Sequence, residues 1–225
     1  MKLLISFLFC LYVLVNTSFC LAENLTARYT VSTSGISIGV LLWELQKNKN
    51  EYSLVVKLNN KGFFSKLLKF QGEYNVKGLI KNDEFFPINY YQSWITKKKD
   101  REVQIVFKNQ KILELTQTPA EKEYSRIGIE LISGYSDPLT SFLNLLAGKN
   151  KSKTIDGRRT YTLSLSGYYE DQNKKTYTVE DYINIWADHK RNSLEEITII
   201  QSSKNFIPDE ISIIFDGRVF KIKKY

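Results

Sequence analysis

The sequence predicts a mainly β protein: a single curved antiparallel sheet or incomplete barrel of about 9–11 strands wrapped on one short α-helix. Three observations predict it. Apolar residues recur with a period of two in segment after segment, the alternation of a half-buried strand. Short turn signals separate those segments. One stretch alone switches to the helical period.

In chain order, Ile36, Ile38, Val40 and Leu42 share one strand face, and after Asn48-Lys49-Asn50 so do Tyr52, Leu54, Val56 and Leu58. Residues 63–70 (Phe63-Phe64-Ser65-Lys66-Leu67-Leu68-Lys69-Phe70) are too apolar for a plain loop and read as a short amphipathic helix or a strand edge. Lys99-Asp100 turns the chain into Val103, Ile105 and Phe107. Tyr90, Tyr91 and Trp94 lie close together, and Trp43 and Trp186 fall within strands, which reads as core packing and cross-strand pairs.

The helix follows. Asp137 can cap an N-terminus, and Pro138 fits the first turn, where its missing N–H costs nothing. Leu139, Phe142, Leu143 and Leu146 then form one apolar stripe, and Gly148 suits the stop. A helix of about 11 residues is too short to stand alone in water, so it must pack on the sheet. Asp156-Gly157 and Asp216-Gly217 sit between β-rich runs, a strong hairpin signal. Asn173-Lys174 leads into Tyr177, Val179, Ile183 and Ile185, with Asp181 interrupting the apolar face. Ile211, Ile213 and Phe215 close the series with Phe220 and Ile222.

With 4 prolines, 11 glycines and no repeat or linker, residues 23–225 read as one β-rich domain. Residues 1–22 read as a secretory signal peptide: Met1-Lys2, an apolar run from Leu3 to Val15, and a small-residue cleavage site after Ala22. The alternative is a retained anchor, although the run is short of the about 20 apolar residues that a spanning helix needs. Phe19 is too bulky for the position before a lipidated Cys20. Both cysteines leave with the leader, so the exported domain is expected to fold without disulfides.

The formal net charge is +8, but 25 of the 32 basic residues are lysines and only 7 are arginines. A phosphate-gripping protein favours the arginine fork, and an exported chain does not meet nucleic acid. The lysines gather at turns, where they keep strand ends soluble; the sharper alternative is weak contact with an anionic membrane surface. Chemistry is scarce. His189 is the only histidine, beside Asp188 in a polar turn, and no Gly-x-Ser-x-Gly elbow accompanies it. One histidine and no cysteine in the exported domain argue against a metal, and no glycine-rich phosphate loop calls for a cofactor. No catalytic residue is assigned. Asp181 is expected to be buried and paired with Arg158 or Arg159, because an unpaired buried carboxylate is costly.

The run Gly134-Tyr135-Ser136-Asp137-Pro138-Leu139-Thr140-Ser141-Phe142, then Thr154-Ile155-Asp156-Gly157-Arg158-Arg159 with Tyr161, carries a resemblance. So does Tyr29 with Val31-Ser32, Gly35-Ile36, Ile38 and Gly39. Together they resemble the exported bacterial family known as domain of unknown function 3108, which implies a cell-envelope protein of Gram-negative bacteria and brings no catalytic residue. At fold level, a curved sheet closing on a helix is similar to periplasmic lipoprotein carriers and receptors of the LolA and LolB type.

The functional expectation is a periplasmic, non-enzymatic protein holding a lipid or lipid-anchored client. Acyl-chain binding needs no motif, since each buried methylene contributes roughly 0.8 kcal/mol. The client would lie between the sheet and Leu139, Phe142, Leu143 and Leu146, with Phe63, Phe64, Leu67 and Leu68 as a mobile lip. The rivals are a scaffolding envelope protein with a filled core and a carboxylate-dependent hydrolase built around Asp181. Oligomeric state is not set by these residues.

Overall fold

A computed structural model describes residues 22–60, 70–97, 99–186, 194–202 and 205–225. Residues 1–21 of the expected signal segment, the residues Phe63, Phe64, Leu67 and Leu68, and the Asp188-His189 pair lie outside the described residues. The first seven strands are β1 (Glu23–Thr33), β2 (Ile36–Lys47), β3 (Glu51–Asn60), β4 (Phe70–Lys81), β5 (Glu84–Thr96), β6 (Asp100–Lys108) and β7 (Lys111–Thr118). The helix α1 (Pro138–Leu146) follows. Six more strands complete the chain: β8 (Lys151–Ile155), β9 (Arg159–Tyr169), β10 (Lys174–Asn184), β11 (Leu194–Ile200), β12 (Glu210–Phe215) and β13 (Arg218–Lys224).

All thirteen form one antiparallel sheet in the order β7-β6-β5-β4-β3-β2-β1-β13-β12-β11-β10-β9-β8. The first and last strands are neighbours, with Val31 opposite Ile222. The edges are therefore β7 and β8, in the middle of the chain. The segment leading into α1 stands between them. Ser133 bridges to Lys111 and Ser136 to Thr154. Gly134 N donates to Gln110 O at 2.9 Å, Ser136 N to Lys153 O at 2.9 Å, and Ile155 N to Ser136 O at 2.8 Å. Part of each open edge is thereby hydrogen-bonded, which blunts its tendency to recruit another strand.

Thirteen strands exceed the about 9–11 expected from spacing. The difference lies in the turns. Asn82-Asp83 (φ 51° and 61°) and Asn109-Gln110 (φ 51° and 61°) make the same left-handed two-residue hairpins as Asp216-Gly217 (φ 53° and 70°), but without a glycine to mark them.

Two strands also face differently from expectation. In β2 the core side carries Leu41, Trp43 and Leu45, while Ile36 is exposed and Val40 and Leu42 are half-buried. Both faces of β2 are apolar, so alternation alone selects neither. In β10 the pairing slips between Glu180 and Ile183, and Asp181 adopts φ 52°. The extra residue turns Ile183 out to 46% exposure while Ile185 stays fully buried.

Asp181 is accordingly corrected: it is exposed at this bulge and accepts a hydrogen bond from Thr162 Oγ1 at 3.2 Å. Arg158 instead pairs with Glu121, and Arg159 reaches Asp156 at 3.8 Å.

Tyr29, Leu54, Ile105, Tyr177 and Ile185 are fully buried on the core side of the sheet. There α1 packs against β8, β5 and β4. It forms where local chemistry dictates: Asp137 caps it, Pro138 opens it, and Gly148 (φ 103°) follows the C-cap Ala147. Burial extends beyond the apolar stripe, since Thr140, Ser141 and Asn144 are also buried. Each has a partner. Asn144 Oδ1 accepts from Phe85 N and its Nδ2 donates to Phe85 O, both at 2.9 Å. Thr154 Oγ1 donates to Ser141 Oγ at 2.8 Å.

Candidate functional site

The candidate site is an open cleft of about 950 Å³ at the C-terminal end of α1, at the top of the usual size range of small-molecule sites. Its floor is built of buried apolar side chains, while polar atoms supply more of the exposed lining than apolar ones do. Leu145 and Leu146 come from the last turn of α1, Phe85 from β5, Tyr177 from β10 and Ile199 from β11. Burial pushes the Tyr177 phenol up to about 12, so the floor carries no charge there at neutral pH. The rim is polar: Lys47 ends β2, Lys49 comes from the β2–β3 turn, Asp83 from the β4–β5 turn, and Tyr168 and Lys175 from the β9–β10 hairpin. The antiparallel meander brings these turns to one end of the sheet.

Phe206 stands at the wall with φ 57°, a costly conformation for a bulky residue. Its ring meets Phe85 edge-on at 5.3 Å, and the Lys47 ammonium lies 5.1 Å from the ring centre. An observed backbone outlier at a cleft wall is a pointer to function.

A buried polar network anchors the helix that forms the floor. The Asp137 carboxylate is fully buried. It accepts from Leu139 N at 3.0 Å, from Thr140 N at 3.1 Å, and from the Thr140 hydroxyl. That hydroxyl is also hydrogen-bonded to the Tyr52 hydroxyl at 2.6 Å. Desolvation raises the Asp137 pKa to about 6 despite these donors.

The sign of the linkage is fixed by that direction. The folded state holds the proton more tightly than the unfolded one, so the contribution to stability is fully present below about pH 4 and is lost as pH rises through 6. Urea unfolding at pH 4.5 is therefore expected to give a stability about 2 kcal/mol higher, from this group, than at pH 7.5. The Asp137→Asn variant should lose that difference. Asp209 has its pKa lowered to about 2, chiefly by the Lys224 hydrogen bond, and its contribution falls away only below this window.

Of the expected lipid-contacting stripe, Leu146 lines the cleft. Leu143 is fully buried in the core, and Leu139 and Phe142 are half-buried against it. Phe142 meets Trp43 edge-on at 5.9 Å. Asp156 and Gly157 form the β8–β9 turn, where Asp156 Oδ1 accepts from Arg158 N at 2.9 Å and Arg159 N at 2.8 Å. Gly157 O receives Gln117 Nε2 at 3.0 Å and Trp186 Nε1 at 3.1 Å, so this turn is tied to the far edge of the sheet. A second cleft of about 550 Å³ lies beside it, between Arg101, Glu121, Arg158 and Trp186.

Sequence reasoning did not single out Lys47, Tyr168, Lys175, Gln201 or Phe206 as a site. They lie at three separate connections, β2–β3, β9–β10 and β11–β12, so no local spacing joins them. Among the described residues no group of three metal-ligating side chains is found, and no helix is long and apolar enough to cross a membrane.

The fold has a solved counterpart. A beta-barrel-like protein of domain of unknown function DUF1849 from Brucella abortus is similar, at 12% identity and a TM-score of 0.50. The match covers 89% of this chain and 95% of that one, and at such identity it speaks for the fold alone. No curated protein matches the sequence. The model of a family described as protein of unknown function, DUF3108, matches residues 28–197. That span holds the capped helix, the Asp156-Gly157 turn and most of the sheet, and on it the chain belongs to the DUF3108 family.

Proposed function

We propose that this is a periplasmic, non-enzymatic binding protein that holds a lipid or a lipid-anchored client at the open end of its sheet. The observation that carries the reading is the open cleft of about 950 Å³, with buried apolar side chains beneath it and lysines among its exposed lining. A ligand with an apolar tail and a polar head matches that division, and ten buried methylenes alone would contribute about 8 kcal/mol. The leader-like N-terminus supports export. The client's position is moved relative to the sequence expectation, from the middle of α1 to its C-terminal end.

The test is a native mass spectrum of the protein purified from a periplasm without detergent. An added mass released as lipid on denaturation is expected. Phe206→Asn sharpens it. Asparagine tolerates the left-handed backbone, so the thermal midpoint should stay within a few degrees while the adduct is lost. A folded Phe206→Asn protein with its full adduct would place the client elsewhere.

One observation favours the scaffolding alternative. The interface between α1 and the sheet is filled, with Leu143 at 0% and Leu145 at 1% exposure. A clean apo mass would favour that reading.

A further inference from the structure

We infer that the ligand of this cleft is an anionic amphiphile, with its chain on the apolar floor and an acidic head group, phosphate or carboxylate, at Lys49 and Lys175. The inference rests on the lipid-binding reading above and adds the chemistry of the head group.

The charges at the cleft decide the sign. Lys47, Lys49 and Lys175 line it against one acid, Asp83. Lys47 is partly neutralised, because its ammonium is 2.5 Å from the Glu23 carboxylate. The Lys175 ammonium sits 5.7 Å from the centre of the Tyr168 ring, and Tyr168 is 53% exposed. That contact holds the charge beside an amphipathic side chain at the mouth.

The C-terminal end of α1 opposes an anion with about half a negative charge. Much of that end is already hydrogen-bonded: Leu143 O, Leu145 O and Asn144 O accept from Ala147 N, Gly148 N and Lys149 N at 2.9–3.0 Å. The rim lysines outweigh what remains.

Isothermal titration with two lysolipids of equal chain length tests this. Lysophosphatidylglycerol carries a net negative charge; lysophosphatidylcholine carries none. The glycerol lipid is expected to bind roughly tenfold tighter. Lys175→Glu should erase that preference, whereas Lys174→Glu should retain it. The latter makes the same change in net charge on the same hairpin, but Lys174 lies over the Tyr169 ring, 5.2 Å from its centre. Both are surface substitutions, so unchanged circular dichroism is expected.

Equal affinity of the two lipids for the native protein would overturn the anionic assignment and leave lipid binding standing. So would equal losses in the two lysine variants. Failure of both lipids to bind would overturn the lipid reading and this inference together. Inorganic phosphate binding as tightly as the lysolipid would leave an anion site and overturn the role of the apolar floor.

Discussion

Asp137→Ala is expected to destabilise the protein by about 2–3 kcal/mol at neutral pH, read from urea unfolding. The substitution removes an N-cap, which contributes about 1–2 kcal/mol. It also removes the carboxylate acceptor of the Thr140 hydroxyl, so one proton of the Thr140–Tyr52 hydroxyl pair loses its acceptor in a site with no exposure. Some of that loss is offset because a desolvated carboxylate no longer has to be ionised. Asp137→Asn separates the two effects. The amide oxygen still accepts from Leu139 N and Thr140 N, and the Thr140–Tyr52 pair can reverse its donor. A cost within about 1 kcal/mol is expected. If alanine and asparagine cost the same, the capping geometry is not what the carboxylate contributes.

Gly78→Ala should be the more damaging substitution, at about 3 kcal/mol. A Cβ at position 78 would lie 2.2 Å from the Phe86 carbonyl oxygen and 2.5 Å from Tyr52 Cε1. Neither neighbour can give way cheaply. The carbonyl belongs to β5, where the pairing with β4 already shifts between Lys77 and Gly78. The Tyr52 ring is set edge-on to Phe85 at 5.0 Å, with its hydroxyl on Thr140 at 2.6 Å. The clash would therefore reach the cap of α1 through one ring, and weaker protection of the helix amides from hydrogen exchange is expected. Gly72→Ala is the control. Its nearest neighbour would be the Tyr74 ring edge at 3.1 Å, a side chain that can move, so a loss under about 1 kcal/mol is expected.

The parts of the fold that were legible in the residues share a cause. The helix from Pro138 to Leu146 follows from contacts within one turn of its own ends. The same holds for Asp156-Gly157 and Asp216-Gly217. Strands with one apolar face, such as Val103, Ile105 and Phe107, kept the expected orientation and are all buried. Strands with two apolar faces, or with a bulge, did not. Leu42 and Ile183 look like core residues in the chain; the first lies on the outer of two apolar faces, and the second is turned outward by the bulge between Glu180 and Ile183.

The residues alone thus determined a mainly antiparallel protein, one capped helix, and its resemblance by motif to the DUF3108 family. Each of these depends on interactions between near neighbours, or on composition. Only the tertiary structure decided which face of β2 is core, that β1 joins β13, and that the seam between β7 and β8 is spanned by residues 133–136. It alone brought Lys47, Lys49, Tyr168, Lys175, Gln201 and Phe206 around one cleft. The physical reason is that these are long-range arrangements. A meander carries its turns to the two ends of the sheet, and which turns meet depends on register and curvature summed over thirteen strands.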